Sequence, residues 1–317
     1  MIKSKKTTLL TIVIMLAITL FIINPSVCIE ATNKGLRVWL VNVVPALFPF
    51  FILTRIIIFL NQTSIPALDK FTNKCFRVNN SGLVYFLSLL SGYPIGAKLI
   101  SGYYESGTID KNTACKMFSF CSTSGPMFII GTVGIGVFGD AKIGYVLLLG
   151  HIVGSFLNGL LYRGKITPHT SPKNALTKTS LNEIMYDSIN SILLVGGYII
   201  FSSVIIQLLQ LTNCLPFITK LICNITTFDY ATVYSFLCGL IEITNGLIML
   251  GSSTINLSIK IILASIIIAF SGICIMLQST SFLNKIGIKK STMLLQKTTQ
   301  AIFTGLVTAL ITILIFS

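Results

Sequence analysis

Glu242 is an acidic residue in the middle of an apolar run, inside Gly239-Leu-Ile-Glu-Ile-Thr-Asn-Gly246. A carboxyl group among apolar neighbours needs a partner or must keep its proton, and either equips it to meet a polar solute. Two other stretches carry chemistry in their backbone. Ser91-Gly92-Tyr93-Pro94-Ile95-Gly96, running on to Lys98, and Ser122-Thr123-Ser124-Gly125-Pro126 place glycine and proline densely enough in apolar surroundings to interrupt a helix. Interruption frees N–H and C=O groups for a ligand, although the same residues also serve close helix packing and kinks. Thr244, Asn245, Ser271 and Gln278 add neutral donors and acceptors of the kind that select a polar organic solute; hydrogen bonds between helices account for them equally well.

Lys98 occupies a place in the first half of the chain that corresponds to Glu242 in the second, so a Lys98–Glu242 ion pair is the expected compensation. Its alternative is a lysine reaching to the membrane interface. His151 and Asn158 are two helical turns apart and share a face, where a packing histidine is the commoner outcome than one lining a pore. Catalytic patterns are missing. Gly131-Thr-Val-Gly-Ile-Gly136 is glycine-rich but has no Walker lysine, so it reads as a packing face. The eight cysteines show no CxxC spacing, and His151 and His169 are the only histidines, which leaves no metal site and no cofactor to expect. Cys214 and Cys223 bracket a stretch that can be an external loop, where a disulfide is conceivable. No enzymatic role is expected.

These residues must be positioned by elements that lipid surrounds. Hydrophobic residues make up 53% of the 317 and charged ones 10%, with a mean hydropathy of +0.87. Roughly 20 apolar residues cross a hydrocarbon core about 30 Å thick. Such stretches recur near 36–60, 82–101, 114–138, 143–162, 188–211, 231–250, 257–283 and 298–316, after a first one from Thr7 to Ile23 that follows Lys3, Lys5 and Lys6. That first stretch resembles a signal peptide without a convincing cleavage site and reads as an uncleaved span. The net charge of +14 is dispersed between apolar runs, which suits short cytoplasmic loops and not a nucleic-acid surface. The partners implied are the lipid bilayer and a small polar solute; nothing sets an oligomeric state.

Loop charge orders the spans. The connections 61–81, 163–183 and 284–297 are basic, the last through Lys285, Lys289, Lys290 and Lys297. With a cytoplasmic N-terminus, these loops share one side only if one segment in each half enters and leaves on the same face. The fold expected is therefore all-α: a polytopic membrane helix bundle with two inverted repeats and broken or re-entrant helices. Its parts are an N-terminal span and loop (1–35), a first repeat (36–162), a basic cytoplasmic linker (163–187) and a second, inverted repeat (188–317). Such repeats place a solute site near the bilayer midplane.

The same motifs carry a family likeness. Val44-Pro-Ala-Leu-Phe-Pro-Phe-Phe51, Ser91-Gly-Tyr-Pro-Ile-Gly-Ala-Lys98, Ser122–Pro126, Gly239–Gly246 and the segment from Ser271-Gly272 to Gln278 stand in an order that resembles the YlbJ-like sporulation integral membrane proteins. That group belongs with the nucleoside-recognition or Gate-domain membrane proteins. The resemblance implies a role in endospore formation and transporter-like passage of a small, nucleoside-like solute, in a multi-pass protein of the cell membrane. A non-transporting scaffold for spore-envelope assembly is the alternative, and an ion channel is disfavoured by the lack of an acidic ring or filter motif.

Overall fold

The structure, a computed structural model, describes residues 2–60, 65–165 and 180–316. Most of the basic linker, with His169, Lys173 and Lys178, lies outside the described residues. Every regular element among them is helical: α1 Ile2–Ile23, α2 Pro25–Val38, a π-helical turn Trp39–Val43, α3 Val44–Phe59, α4 Pro66–Phe76, α5 Gly82–Ser91, α6 Ile95–Glu105, α7 Lys111–Cys121, a π-helix Met127–Val137 and α8 Ala141–Leu161. Then come α9 Leu181–Leu211, α10 Cys214–Ile225, α11 Tyr230–Ile241, α12 Ile243–Gly251, α13 Leu257–Phe270, α14 Gly272–Leu283 and α15 Lys290–Phe316.

Polarity is turned outward-in. Leu306, Leu310 and Leu314 on α15 and Leu9 and Leu10 on α1 are at least 60% exposed, whereas Asn158, Gln300, Thr304 and Thr308 are fully buried. Water disfavours so much exposed apolar surface, and hydrocarbon accepts it. Among the described residues, five helices are long and apolar enough to cross a membrane: Pro25–Phe59, Ala141–Leu161, Leu181–Leu211, Leu257–Ile286 and Lys290–Ile315. The runs 82–101 and 114–138 are interrupted where their glycines and prolines fall, as expected, and 231–250 is split at Glu242. The expected boundary at 35/36 falls inside the continuous helix Pro25–Phe59.

The element order of the first part returns in the second. A long helix (α2–α3, then α9) precedes a short amphipathic one (α4, then α10), two interrupted pairs (α5/α6 and α7/π-helix, then α11/α12 and α13/α14) and a final long helix (α8, then α15). Corresponding long helices pack on each other, α2–α3 on α9 and α8 on α15. Trp39 fixes the first contact: its indole N–H donates to the Ile192 carbonyl at 3.0 Å, and its ring lies against Gly196. The second contact is a close one, with Gly150 facing Thr308 and Gly154 facing Thr304. Small residues let helix backbones approach where lipid supplies no hydrophobic drive.

Glycine also closes two hairpins. At Gly92–Pro94 the chain reverses so that α6 lies on α5, and a Cβ added at Gly96 would sit 3.1 Å from the Ser88 Cβ and against the Cys121 carbonyl oxygen. At Glu242 the chain reverses again, and Gly246 of α12 lies on the Gly239 backbone of α11. Gly96→Leu is therefore expected to reduce folded protein in the membrane several-fold, since overpacking costs about 1–3 kcal/mol or more where backbone must move. Gly102→Leu on the same helix, where nothing lies within 4 Å of an added Cβ, should leave it unchanged. Membrane protein levels and melting in detergent compare the two.

Candidate functional site

Each interruption frees backbone groups in a place without water, and the side chains that satisfy them define the site. In the segment 122–126, the Ser122 carbonyl accepts from Lys297 Nζ at 2.8 Å, the Ser124 N–H donates to His151 Nε2 at 2.9 Å, and the Thr123 hydroxyl donates to the Ser88 carbonyl at 2.9 Å. In the hairpin turn of α5/α6, the Ser91 and Thr54 hydroxyls are hydrogen-bonded to each other. At the α11/α12 turn the Glu242 carboxylate caps α12: Oε1 accepts from Thr244 N–H at 3.0 Å, and Oε2 accepts from Asn245 N–H at 2.8 Å and from its side-chain amide at 3.0 Å. Asp110, Asp140 and Asp229 cap α7, α8 and α11 in the same way, near helix ends that begin after loops. Glu242 is the acidic cap in the interior. Between α13 and α14 the chain turns through Ser271 and Gly272, both at positive φ.

The interruptions meet in pairs and then together. Gly92 abuts Gly125, and Gly272 abuts the carbonyl of Ile241. Tyr93 joins the halves: its hydroxyl donates to the Ile268 carbonyl at 3.3 Å and accepts from Lys297 Nζ at 2.8 Å. At their centre is a cavity with about 440 Å³ of space between atoms, open side included. Its polar wall is Tyr93, Ser124, Glu242, Thr244 and Gln278, one or more from each interrupted pair. Its apolar wall comes from Val43 and Leu47 of the first long helix, Val195 and Ile199 of α9, with Phe128, Ile243, Cys274 and Ile275. Gln278 is buried and its Oε1 has no hydrogen-bond partner among the described residues, while its Nε2 reaches Cys274 Sγ at 3.5 Å.

Behind Tyr93 lies a buried cation. Lys297 is 1% exposed, and its ammonium is held by three oxygens: the Tyr93 hydroxyl and the Ser122 carbonyl, both at 2.8 Å, and Gln300 Oε1 at 2.6 Å. It was expected as a loop charge in 284–297; instead α15 has already begun, and the residue faces inward. The sequence signal was the spacing of Gln296, Gln300, Thr304, Thr308 and Thr312, polar positions four apart that continue into the apolar second half of the helix. That marks one buried face.

Several expected placements are corrected. Lys98 does not pair with Glu242: its Nζ donates to Ser191 Oγ on α9 at 2.8 Å, close to where Arg55 and Asp187 form an ion pair at 3.1 Å. The carboxylate is satisfied by N–H groups at its own helix end, so no cation is drawn to it. Cys214 and Cys223 lie on one helix, α10, and not across a loop; both are free thiols. Asn158 does not line the cavity; it ties α8 to the Ser119 and Gln296 carbonyls at 2.7 and 3.0 Å. His151 sits behind the segment 122–126 as a buried backbone acceptor. Of the expected site residues, Tyr93, Ser124, Glu242, Thr244 and Gln278 reach the cavity wall. Ser91, Gly92, Pro94, Gly96, Ser122, Pro126 and Ser271 shape the turns around it, and Asn245 lies just beyond Glu242. The apolar wall had no motif to announce it, because Val, Leu and Ile in a membrane helix look alike whichever way they face.

A largely apolar cavity with a few polar groups, enclosed by interrupted helices within a bundle whose outer surface is apolar, defines an integral, multi-pass membrane protein. The chain is 32% identical to the sporulation integral membrane protein YlbJ of Bacillus subtilis (strain 168) over 95% of its own length and 81% of that protein, and it belongs to that family. No family model matches it, and no solved structure does.

Proposed function

We propose that this protein is a permease of the sporulating cell that carries a small organic solute through the central cavity. The carrying observation is the convergence of the four interruptions on one cavity, with the mixed wall already described. Apolar side chains receive the body of a ring-bearing solute, and Glu242, Thr244, Gln278 and the Tyr93 and Ser124 groups read its polar edge. The nucleoside-like solute implied by the family resemblance has this character. No covalent step belongs to this reading.

The two parts of the chain are on this reading inverted copies. The hairpins α5/α6 and α11/α12 each enter and leave on one face, and α7/π-helix and α13/α14 cross with a break at mid-depth, so each part crosses an odd number of times. The repeated element order and the two chain reversals support this. Discontinuous helices around a midplane site are the arrangement by which opposite gates open in turn.

Uptake into liposomes tests it. The purified protein is expected to accumulate at least one of uridine, adenosine, benzoate and glutamate above protein-free liposomes. Gln278→Leu, which removes a polar group that no helix contact uses through Oε1, should lower that uptake roughly tenfold, the equivalent of about 1.4 kcal/mol. Folded protein that moves none of the panel would count against a carrier of this solute class.

A further inference from the structure

A second cavity lies on the far side of Glu242 and Asn245, and it is lined by α2, α9, α11 and α12. Its polar groups are Lys34, Ser203, Gln207, Gln210, Tyr234 and Asn245, with the Tyr234 hydroxyl donating to Gln210 Oε1 at 3.1 Å. Hydrocarbon does not solvate an ammonium and three side-chain amides, so this cavity faces water.

α9 runs past both cavities. Val195 and Ile199 border the central one, and Ser203, Ile206 and Gln210 continue the same helical face along the second. At roughly 1.5 Å per residue, the face from Val195 to Gln210 extends about 22 Å. A hydrocarbon core is about 30 Å thick, so this one stripe covers most of its depth.

Along that stripe the chambers are separated by one set of polar contacts among the described residues. Asn245 donates through Nδ2 to Ser203 Oγ at 2.9 Å and to Glu242 Oε2 at 3.0 Å, which ties the hairpin turn to α9. Asn245 is 3% exposed, and its Oδ1 has no hydrogen-bond partner among the described residues. A buried amide oxygen left unpaired at the edge of a polar chamber is a place for a donor from outside the protein.

From these observations we infer that the second cavity is an aqueous antechamber to the central site, and that the Ser203–Asn245–Glu242 contact is the partition between them. The antechamber holds the same small solute by its hydrogen-bond acceptors, through Lys34 and the Gln207 and Gln210 amides. The inference rests on the permease reading and adds to it the route: the solute passes along α9 on the face of the membrane where α9 ends and α10 begins.

Thiol labelling and uptake together test this. Ser203→Cys and Gln207→Cys are placed in the otherwise unchanged chain and treated with a membrane-impermeant methanethiosulfonate from each face of sealed vesicles. Adducts are located by peptide mass spectrometry, so the native cysteines stay. Both positions should react from the face at the end of α9, roughly tenfold faster than Leu306→Cys on the lipid-facing side of α15. Gln207→Trp, which fills the antechamber, should lower liposome uptake of the panel solute by a similar factor. Labelling no faster than at Leu306→Cys, or wild-type uptake by Gln207→Trp, overturns the antechamber. Wild-type protein that takes up no panel solute is a separate failure, of the permease reading itself, and is read in the same liposomes.

Discussion

If the protein is the permease proposed, Glu242→Ala should abolish solute uptake and lower stability by about 2–4 kcal/mol, whereas Glu242→Gln should lose uptake and keep most of the stability. The difference follows from what the carboxylate does. It accepts from two backbone N–H groups and the Asn245 amide, and Glu242 is buried. Alanine orphans the two backbone N–H groups, at about 1–3 kcal/mol each before the turn relaxes, and leaves the Asn245 amide with its bond to Ser203 alone. Glutamine retains one acceptor oxygen but turns an NH₂ group toward the remaining N–H donors, so the cap is weakened while the hairpin survives. The cavity, however, loses its acid in both variants. Melting in detergent and uptake in liposomes separate the two roles. An alanine variant as stable as the wild type would show that α12 does not depend on this cap, and a glutamine variant with full uptake would remove the charge from the mechanism.

The apolar periods and the loop charges made the class of fold legible: a helical membrane protein with interruptions at 91–96 and 122–126. They could not say what the interruptions looked like. Gly92–Pro94 and Ser122–Pro126 have similar composition, yet the first turns the chain back on itself and the second does not. What decides is tertiary. Gly96 can approach Ser88 and Cys121 because the α7 end is there to receive it, and no local pattern encodes that neighbour. Serine at position 271 carries the αL conformation that glycine usually takes, so the fourth interruption had only Gly272 to announce it.

The candidate site was legible where polarity is rare. Glu242, Gln278 and Tyr93 stood out against apolar neighbours and all line the cavity. The ion pair expected between Lys98 and Glu242 failed because a carboxylate at a helix N-terminus already has donors, a partner that residue-type reasoning overlooks when it searches for opposite charge. Lys297 escaped for the converse reason. It follows three lysines in a basic connection, so its sequence neighbourhood resembles a loop, while its spacing to Gln300 and Thr304 belongs to the buried face of α15.

Lys297→Met is expected to remain folded and to lose uptake. Two large effects oppose each other in its stability. Removing a buried ammonium recovers a desolvation penalty of several kcal/mol, and the methionine stem fills nearly the same volume. Against this, the Tyr93 hydroxyl, the Ser122 carbonyl and Gln300 Oε1 lose a donor, at about 1–3 kcal/mol each. The terms are of similar size, so the net change should stay within about 2 kcal/mol of zero. Function has no such offset. Lys297 is what fastens α15 to both the hairpin turn and the segment 122–126, and Tyr93 and Ser124 of those turns are cavity wall. Freed from it, Tyr93 is held by the single longer bond to Ile268. Amide hydrogen exchange in residues 122–128 should therefore rise, uptake should fall roughly tenfold, and Lys297→Arg should restore neither, because a planar fork does not fit a cage shaped for a compact ammonium. Lys297→Met with unchanged exchange and wild-type uptake would reduce the buried lysine to packing.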